Sequence, residues 1–248
     1  MPKLLNGMKI DVLTLFPNVV HAYLKESIIG RAGEKEIVQI NVHNIRDYSS
    51  DKHNTVDDSP YGGGPGMVLK PEPIFEAFDR NDLWKGKKIF LSPQGNSLSH
   101  NMAARLSCEK HIVILCGHYE GVDQRVCDKM DEEISIGDYV ISNGAVAAMV
   151  LIDAVARQIP EVLGNSESVG KDSFANGLLE YPQYTRPAEF RDETVPEILL
   201  GGNHKLIEEW RRTQSLKKTL LRRPELLGKA NLSCEDKLII EKIKQNVL

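Results

Sequence analysis

The sequence predicts an α/β protein whose amino-terminal part is a parallel sheet covered on both faces. Three observations carry this expectation. Short runs rich in Val and Ile recur, each bounded by Gly, Pro or Asp; helix-compatible stretches fall between them; and IVIL at Ile112–Leu115 is apolar at successive positions rather than alternate ones. A strand that reads as an unbroken apolar run is one buried on both sides, as when crossover helices cover a parallel sheet.

Strands are expected at Lys9–Phe16, Ile37–Ile45, Lys87–Leu91, His111–Cys116 and Tyr139–Ser142, where β-branched residues are concentrated. Pro71–Asp79 opens with prolines suited to a first helical turn, Ser99 is placed to cap a helix over Asn101–Cys108, and Val122–Met130 has a helix-compatible mix of apolar and charged residues. The run AVAAMVLIDAVARQI from Ala145 has no Gly or Pro before Pro160, which predicts a largely buried helix ending there. The organisation then changes. Pro160–Phe190 is rich in Gly, Asn, Ser, Pro and Glu and lacks periodicity, so it reads as linker and loop. Helical spacing resumes through Leu206, Ile207 and Trp210 and through Leu216, Leu220 and Leu221. Ser233 with Asp236 forms a capping box ahead of Leu238, Ile239, Ile240, Ile243 and Val247.

With 248 residues, 41% of them hydrophobic and 27% charged, the chain has the composition of a folded globular protein rather than a disordered or fibrous one. Its longest apolar run, Ala145–Ile152, stops at Asp153, well short of the roughly 20 residues a bilayer span needs. Asn6, Gly7, Lys9 and Asp11 interrupt every leader-like stretch, so a cytoplasmic protein with no membrane segment is expected. Cys108, Cys116, Cys127 and Cys234 form no C-x-x-C pair and sit in apolar segments, which predicts reduced, partly buried thiols. No Cys and His spacing matches a zinc site, and no metal ligand is assigned. Net charge is −4, yet Asn203–Lys229 carries eight basic residues against three acidic ones, leaving that segment at +5 and the rest at −9. Such segregation is compatible with a local contact to nucleic acid and equally with a solvated helix face.

DDSPYGGGPGM at Asp57–Met67 permits a tight backbone path, but it fits neither the phosphate-loop nor the dinucleotide glycine pattern. Small or polar residues also cluster at three strand ends: Leu91–Asn96 (LSPQGN), Cys116–Asp123 (CGHYEGVD) and Ile136–Gly144 (IGDYVISNG). In α/β sheets, ligands bind beyond the carboxyl ends of strands, where glycines let backbone groups reach them. Acid–base candidates are Glu120, Arg157 and Asp172. Taken singly, each has an ordinary role as a solvated side chain, a helix-end cation or a turn former.

Together, MKIDVLTLFP from Met8, HNTVDDSPYGGGPGM, IFLSPQGN, CGHYEGVDQR, DEEISIGDYVIS, KDSFANGLLEYPQYTRP and LLGGNHKLIEEWRRTQSLKKTLLRRPELL resemble the bacterial tRNA (guanine-N1)-methyltransferase family. These are SPOUT-class enzymes acting on guanine at tRNA position 37, beside the anticodon. The resemblance spans nearly the whole chain. It implies a trefoil-knotted α/β domain over 1–162, a linker over 163–175 and a small helical tRNA-binding domain over 176–248. Periodicity alone would not predict a knot, because chain connections generally avoid threading.

The resemblance further implies S-adenosylmethionine held by Phe90, Leu91, Ser92, Pro93, Gln94, Gly95, Gly117, Tyr119, Glu120, Gly121, Ile136, Gly137, Tyr139, Val140, Ile141, Asn143 and Gly144. Asp172 would be the general base and Arg157 the group that polarises guanine. The anticodon arm would be met by Tyr184, Arg186, Asn203 and His204, with phosphates on Arg211, Arg212, Lys217, Lys218, Arg222 and Arg223. An obligate homodimer is implied, the linker of one subunit completing the pocket of the other, together with a guanine preceding the target. A Mg²⁺ requirement is left open. The chain departs from the family pattern at His118, Asn143, Ala145, Val146, Ala147 and Gly201 and in the short extension Met1–Gly7. The competing readings are a noncatalytic RNA-binding protein that keeps the fold and a related enzyme acting on ribosomal RNA.

Overall fold

A computed structural model describes residues 7–163 and 172–247. The extension before Gly7 and most of the expected linker lie outside the described residues. The chain divides into two compact units, Met1–Gly164 and Asn165–Leu248.

The first unit is a five-stranded parallel sheet in the order β2-β1-β6-β5-β7. Its strands are β1 (Met8–Thr14), β2 (Val38–Asn44), β5 (Lys87–Ser97), β6 (His111–Cys116) and β7 (Glu132–Ser135). A short β3–β4 ladder, Asp57–Asp58 against Val68–Leu69, stands apart from it. Helices α1 (Pro17–Leu24), α2 (Ser27–Glu34), α3 (Pro71–Arg80), α4 (His100–Leu106), α5 (Gln124–Cys127) and α6 (Gly144–Ala156) provide the connections. Ile112 and Ile114 pack on one face with Ile10, Leu151 and Val155, while Val113 and Leu115 pack on the other with Ile74 and Phe78. Two covered faces explain why IVIL carries no polar alternation. The buried carboxylate of Asp11, on β1, accepts from Asn41 at 3.0 Å and meets His43, His111 and Lys9 at 2.7, 2.7 and 2.9 Å. Burial raises its pKa, but these donors together outweigh burial and hold it well below the usual carboxylate range.

Several elements differ from the sequence expectation. Tyr139–Ser142 is not a strand; the fifth strand is β7, whose EEIS pattern is polar because it occupies a sheet edge. Glu132 there pairs with Lys87 and Arg105. The helix expected over Val122–Met130 contracts to α5, capped by Asp123, whose Oδ1 accepts from the Arg125 amide. Cys108 and Cys234 are exposed rather than partly buried.

In the second unit, the described residues between Asp172 and Ala188 form turns without helix or strand. The hairpin β8 (Glu189–Phe190) and β9 (Glu193–Thr194) turns through Arg191 and Asp192, both at positive φ, followed by α7 (Glu197–Leu200). The two helical patterns around Trp210 and Leu216 join as one helix, α8 (His204–Arg222), capped by Asn203. The capping box forms as expected: the Ser233 amide donates to Asp236 at 2.9 Å and the Asp236 amide to Ser233 Oγ at 3.1 Å. It starts α9 (Cys234–Val247), and Leu178, Leu216 and Ile240 make the small core. Among the described residues, no helix is long and apolar enough to cross a membrane.

Candidate active site

Three segments lie on the neighbouring strands β6, β5 and β7: a bulge in β5 and the loops beyond the carboxyl ends of β6 and β7. The first lies within β5. Leu91 and Asn96 both stand opposite Ile134, so Ser92–Gly95 bow out of the ladder. Ser92 Oγ accepts from the Gln94 amide at 3.0 Å. A Cβ at Gly95 would lie 2.4 Å from the Glu133 carbonyl carbon, so only glycine fits against β7. Phe90 and Leu91 point into opposite cores, which leaves their backbone rather than their side chains to a ligand.

The second loop follows β6. A Cβ added at Gly117 would lie 3.3 Å from the Phe90 ring, and Tyr119 and Gly121 take positive φ values of 59° and 145°. It is braced by the glycine-rich segment: the Glu120 amide donates to the Met67 carbonyl and the Leu69 amide to the Gly121 carbonyl, each at 3.0 Å. The Glu120 side chain crosses directly over Gly66, where a Cβ would collide with it. Thus the DDSPYGGGPGM segment braces the loop after β6.

The third loop runs from β7 to α6. The Ser135 hydroxyl donates to the Gly137 carbonyl at 3.0 Å and accepts the Gly137 amide at 3.2 Å, fixing a turn with Gly137 at φ 151°. Tyr139 OH donates to the Ile136 carbonyl at 3.2 Å. The loop then returns to the second one. The Gly144 amide donates to the Gly117 carbonyl at 2.8 Å, and His118 Nδ1 lies 2.9 Å from the Ser142 carbonyl oxygen. Asn143 caps α6 by accepting the Ala145 amide at 3.1 Å, giving a physical role to one departure from the family pattern. His118, another departure, packs edge-on against Phe16.

Tyr139 and Val140 remain 56% and 84% exposed, and Ile136 and Ile141 are half-buried beside them. Apolar side chains next to glycine-framed backbone, with Glu120 exposed on the adjoining loop, are a donor set suited to an adenosyl group and a cationic sulfonium. The residues present therefore fit S-adenosylmethionine. Among the described residues, no three His, Cys, Asp or Glu side chains cluster to hold a metal. Arg157 is the half-buried C-cap of α6, its amide donating to the Asp153 carbonyl at 3.1 Å. Asp153 accepts from Tyr23 OH, and burial together with that bond pushes the phenol up to about 12.

Asp172 lies in the second unit. It lines a cleft of about 440 Å³ with Asn176, Glu180, Tyr181, Glu208, Arg211 and Ser215 among its walls. The Ala175 amide donates to its backbone carbonyl at 3.2 Å, opening a turn that the Phe174 amide closes on the Leu178 carbonyl at 2.7 Å. Leu179 is tied to α8 through Thr219 Oγ1 at 2.9 Å. Sequence reasoning did not find this cleft. The one available signal was the i, i+4 spacing of Arg211 and Ser215, which places both on one face of α8.

The basic residues are not equivalent. Arg212 binds Asp236 through Nε and Nη2 at 2.9 and 2.7 Å, joining α8 to α9. Arg211 lies over the Tyr181 ring at 4.9 Å, with Nη1 on Glu208 at 2.7 Å. Arg223 is bonded to Glu225. Lys217 and Arg222 are exposed and Lys218 is half-buried. Tyr184, half exposed, stands 6.3 Å from Trp210; Arg186 and His204 are exposed; Asn203 is engaged as the α8 cap, accepting from the Leu206 amide.

Comparison with known proteins gives these features a family. A family model described as tRNA (Guanine-1)-methyltransferase TrmD matches residues 8–229. Among curated proteins, the chain is 51% identical over 241 residues to a tRNA (guanine-N(1)-)-methyltransferase of Pediococcus pentosaceus, covering 96% of this chain and 98% of the relative. It is 52% identical over 240 residues to one of Dehalococcoides mccartyi, covering 95% and 97%. It is also 52% identical over 243 residues to one of Anoxybacillus flavithermus, covering 96% and 99%. On this match and on the site it spans, the chain belongs to the tRNA (guanine-1)-methyltransferase family.

Proposed function

We propose that the protein transfers a methyl group from S-adenosylmethionine to N1 of guanine 37 in tRNA, working in the cytoplasm as a homodimer. In this reading residues 1–162 are a trefoil-knotted SPOUT domain, 163–175 a linker and 176–248 the tRNA-binding domain. The observation that carries it is the joining of the loops after β6 and β7 by Gly144 to Gly117 and by His118 to Ser142, beside the Ser92–Gly95 bulge of β5, in a chain matched by the family over residues 8–229. The return of the β7–α6 loop onto the end of β6 supports a knotted path.

The cofactor supplies an electrophilic methyl group on a sulfonium. Ser92–Gly95, Gly117–Gly121 and Ile136–Gly144 hold and orient it, mainly through backbone groups and the apolar surface of Ile136, Tyr139, Val140 and Ile141. Guanine N1 carries a proton at neutral pH, so its lone pair becomes available only when a base removes that proton. Asp172 accepts it. An aspartate with an ordinary pKa of about 3.9 is a weak base for this task, and Arg157 offsets the weakness by stabilising the negative charge that grows on O6 as N1 loses its proton. S-adenosylmethionine would supply the methyl group that N1 takes once deprotonated, and Asp172 would keep the proton until release. Positioning supplies the rest of the acceleration. A base beside the anticodon must be unstacked to enter a pocket, which suits a target in a single-stranded loop.

The test uses two tRNA transcripts that differ only in guanine or adenine at the target. Wild type is expected to methylate the first and not the second. Asp172→Asn and Arg157→Ala should each lower kcat by about 10²–10⁴, the range of a general acid–base or oxyanion contribution, with cofactor affinity retained. Turnover by Asp172→Asn comparable to wild type would remove the base assignment. Cofactor and tRNA binding without any methyl transfer would instead favour the noncatalytic RNA-binding reading.

A further inference from the structure

The loop between β7 and α6 exposes Asp138, Tyr139, Val140 and Ser142 to solvent. Ile136 and Ile141 pack against the core beneath it. Its own polar side chains bond locally: Tyr139 to the Ile136 carbonyl, Asn143 to Ser142 and to the Ala145 amide. Among the described residues, the only side chain outside the loop that bonds to residues 138–143 is His118, whose Nδ1 lies 2.9 Å from the Ser142 carbonyl oxygen. A carbonyl only accepts, so Nδ1 carries the hydrogen and donates. The imidazole also meets Phe16 edge-on, centroids 4.9 Å apart, and lies 4.2 Å from the Tyr119 ring. Close by, the Gly144 amide donates to the Gly117 carbonyl at 2.8 Å. The two bonds run in opposite directions between the same two segments and make a clasp. Its backbone half is fixed, since a Cβ at Gly144 would strike Gly117. His118 is the half that sequence can change.

Building on the S-adenosylmethionine reading of this site, we propose that His118 is a positioning residue whose Nδ1–H holds the β7–α6 loop in the shape that receives the cofactor. A loop that must be ordered when its ligand arrives subtracts that ordering from the affinity. A clasp closed beforehand removes the cost. One neutral hydrogen bond of this kind is worth about two- to tenfold in a binding constant. The effect belongs to binding rather than to chemistry, because the imidazole acts through Ser142 and not on the reacting atoms. The alternative role for His118 is packing, the ring filling space between Phe16 and Tyr119. Donor and ring can be separated by substitution.

The experiment compares wild type with His118→Asn and His118→Phe. Asparagine carries its amide nitrogen one bond from Cγ, as Nδ1 is carried in histidine, so it can donate to Ser142 but offers no ring. Phenylalanine keeps a ring beside Phe16 and Tyr119 but cannot donate. Two quantities are read: the S-adenosylmethionine Kd by calorimetry, and amide hydrogen exchange over residues 138–145 in the protein without cofactor. His118→Phe should raise Kd about three- to tenfold and speed exchange in the loop, with kcat at saturating cofactor and tRNA within about twofold of wild type. His118→Asn should restore both Kd and exchange to within about twofold of wild type. The reverse order, an impaired Asn variant and a wild-type-like Phe variant, assigns packing and overturns the proposal. Two variants that match wild type, or that are impaired alike, overturn it too, as does a loss confined to kcat. Should the variants fold poorly, wild type alone decides through its imidazole ¹⁵N resonances: the neutral His118 ring must carry its hydrogen on Nδ1, and a hydrogen on Nε2 alone removes the clasp. If wild type binds no S-adenosylmethionine, the methyl-transfer reading fails, and the exchange rates still decide whether His118 holds the loop.

Discussion

A methyl group added at Gly144 would stand 2.7 Å from the Gly117 amide nitrogen and 2.9 Å from Cys116 Cα, both backbone atoms that cannot swing aside. At Gly62, φ is 88° and no atom lies within 4 Å of an added Cβ. Alanine at Gly62 therefore pays only for left-handed backbone, about 1–2 kcal/mol. Alanine at Gly144 must push α6 away from β6, which costs at least the 1–3 kcal/mol typical of overpacking and separates two pocket loops. Gly144→Ala is expected to lower Tm more than Gly62→Ala and to weaken S-adenosylmethionine binding by calorimetry. Gly62→Ala should leave that affinity within about twofold, because it touches no pocket atom. Equal effects on affinity would show that the loops are not held by this contact. The glycines were visible in the sequence, but the two reasons for them were not, since a steric requirement and a conformational one are written with the same letter.

At the scale of elements, α9 is docked by one ion pair and one capping box that share a carboxylate. Arg212 first, and then the Ser233 amide, hold Asp236 at about 2 against an ordinary 3.8, despite the upward push of burial. A depressed carboxyl contributes stability that is full above its unfolded value and lost as pH falls through its folded one. The window is therefore about pH 4 down to about pH 2, and the contribution at neutral pH is about 2 kcal/mol. Chemical denaturation followed at α9 should lose stability on acidification through that window. In Asp236→Asn the slope should flatten and the neutral-pH stability should already be reduced; an unchanged slope would remove the linkage. The capping box was legible because Ser and Asp three residues apart are read locally. The partner of Arg212 was not, because it lies on another helix. Strand β7 was missed for a related reason: an edge strand bearing Glu132 and Glu133 has no apolar alternation to read, while Tyr139–Ser142 has the right residue types but belongs to a pocket loop.

In the first unit, helix α6 leaves part of its apolar surface uncovered among the described residues. Helix α6 buries Ala147, Ala148, Leu151 and Ile152 inward, yet Val146 and Val150, one turn apart on its outer side, are 39% and 44% exposed. Val19 on the adjoining α1 is 41% exposed. A helix apolar on both sides belongs in an interior, which a second copy would provide. In the proposed homodimer this face joins the protomers, and each linker serves the opposite pocket. Val146→Glu with Val150→Glu should then sediment as a monomer at micromolar concentration, while wild type sediments as a dimer. Complementation tests the exchange of linkers directly. Asp172→Asn keeps an intact cofactor pocket and Arg157→Ala keeps an intact linker, so neither homodimer is active. A co-expressed mixture should contain hybrids in which one of two sites joins a wild-type pocket to a wild-type Asp172, restoring about a quarter of wild-type turnover. If Asp172 instead served its own chain's pocket, every site in the hybrid would carry one lesion, and mixing would restore nothing.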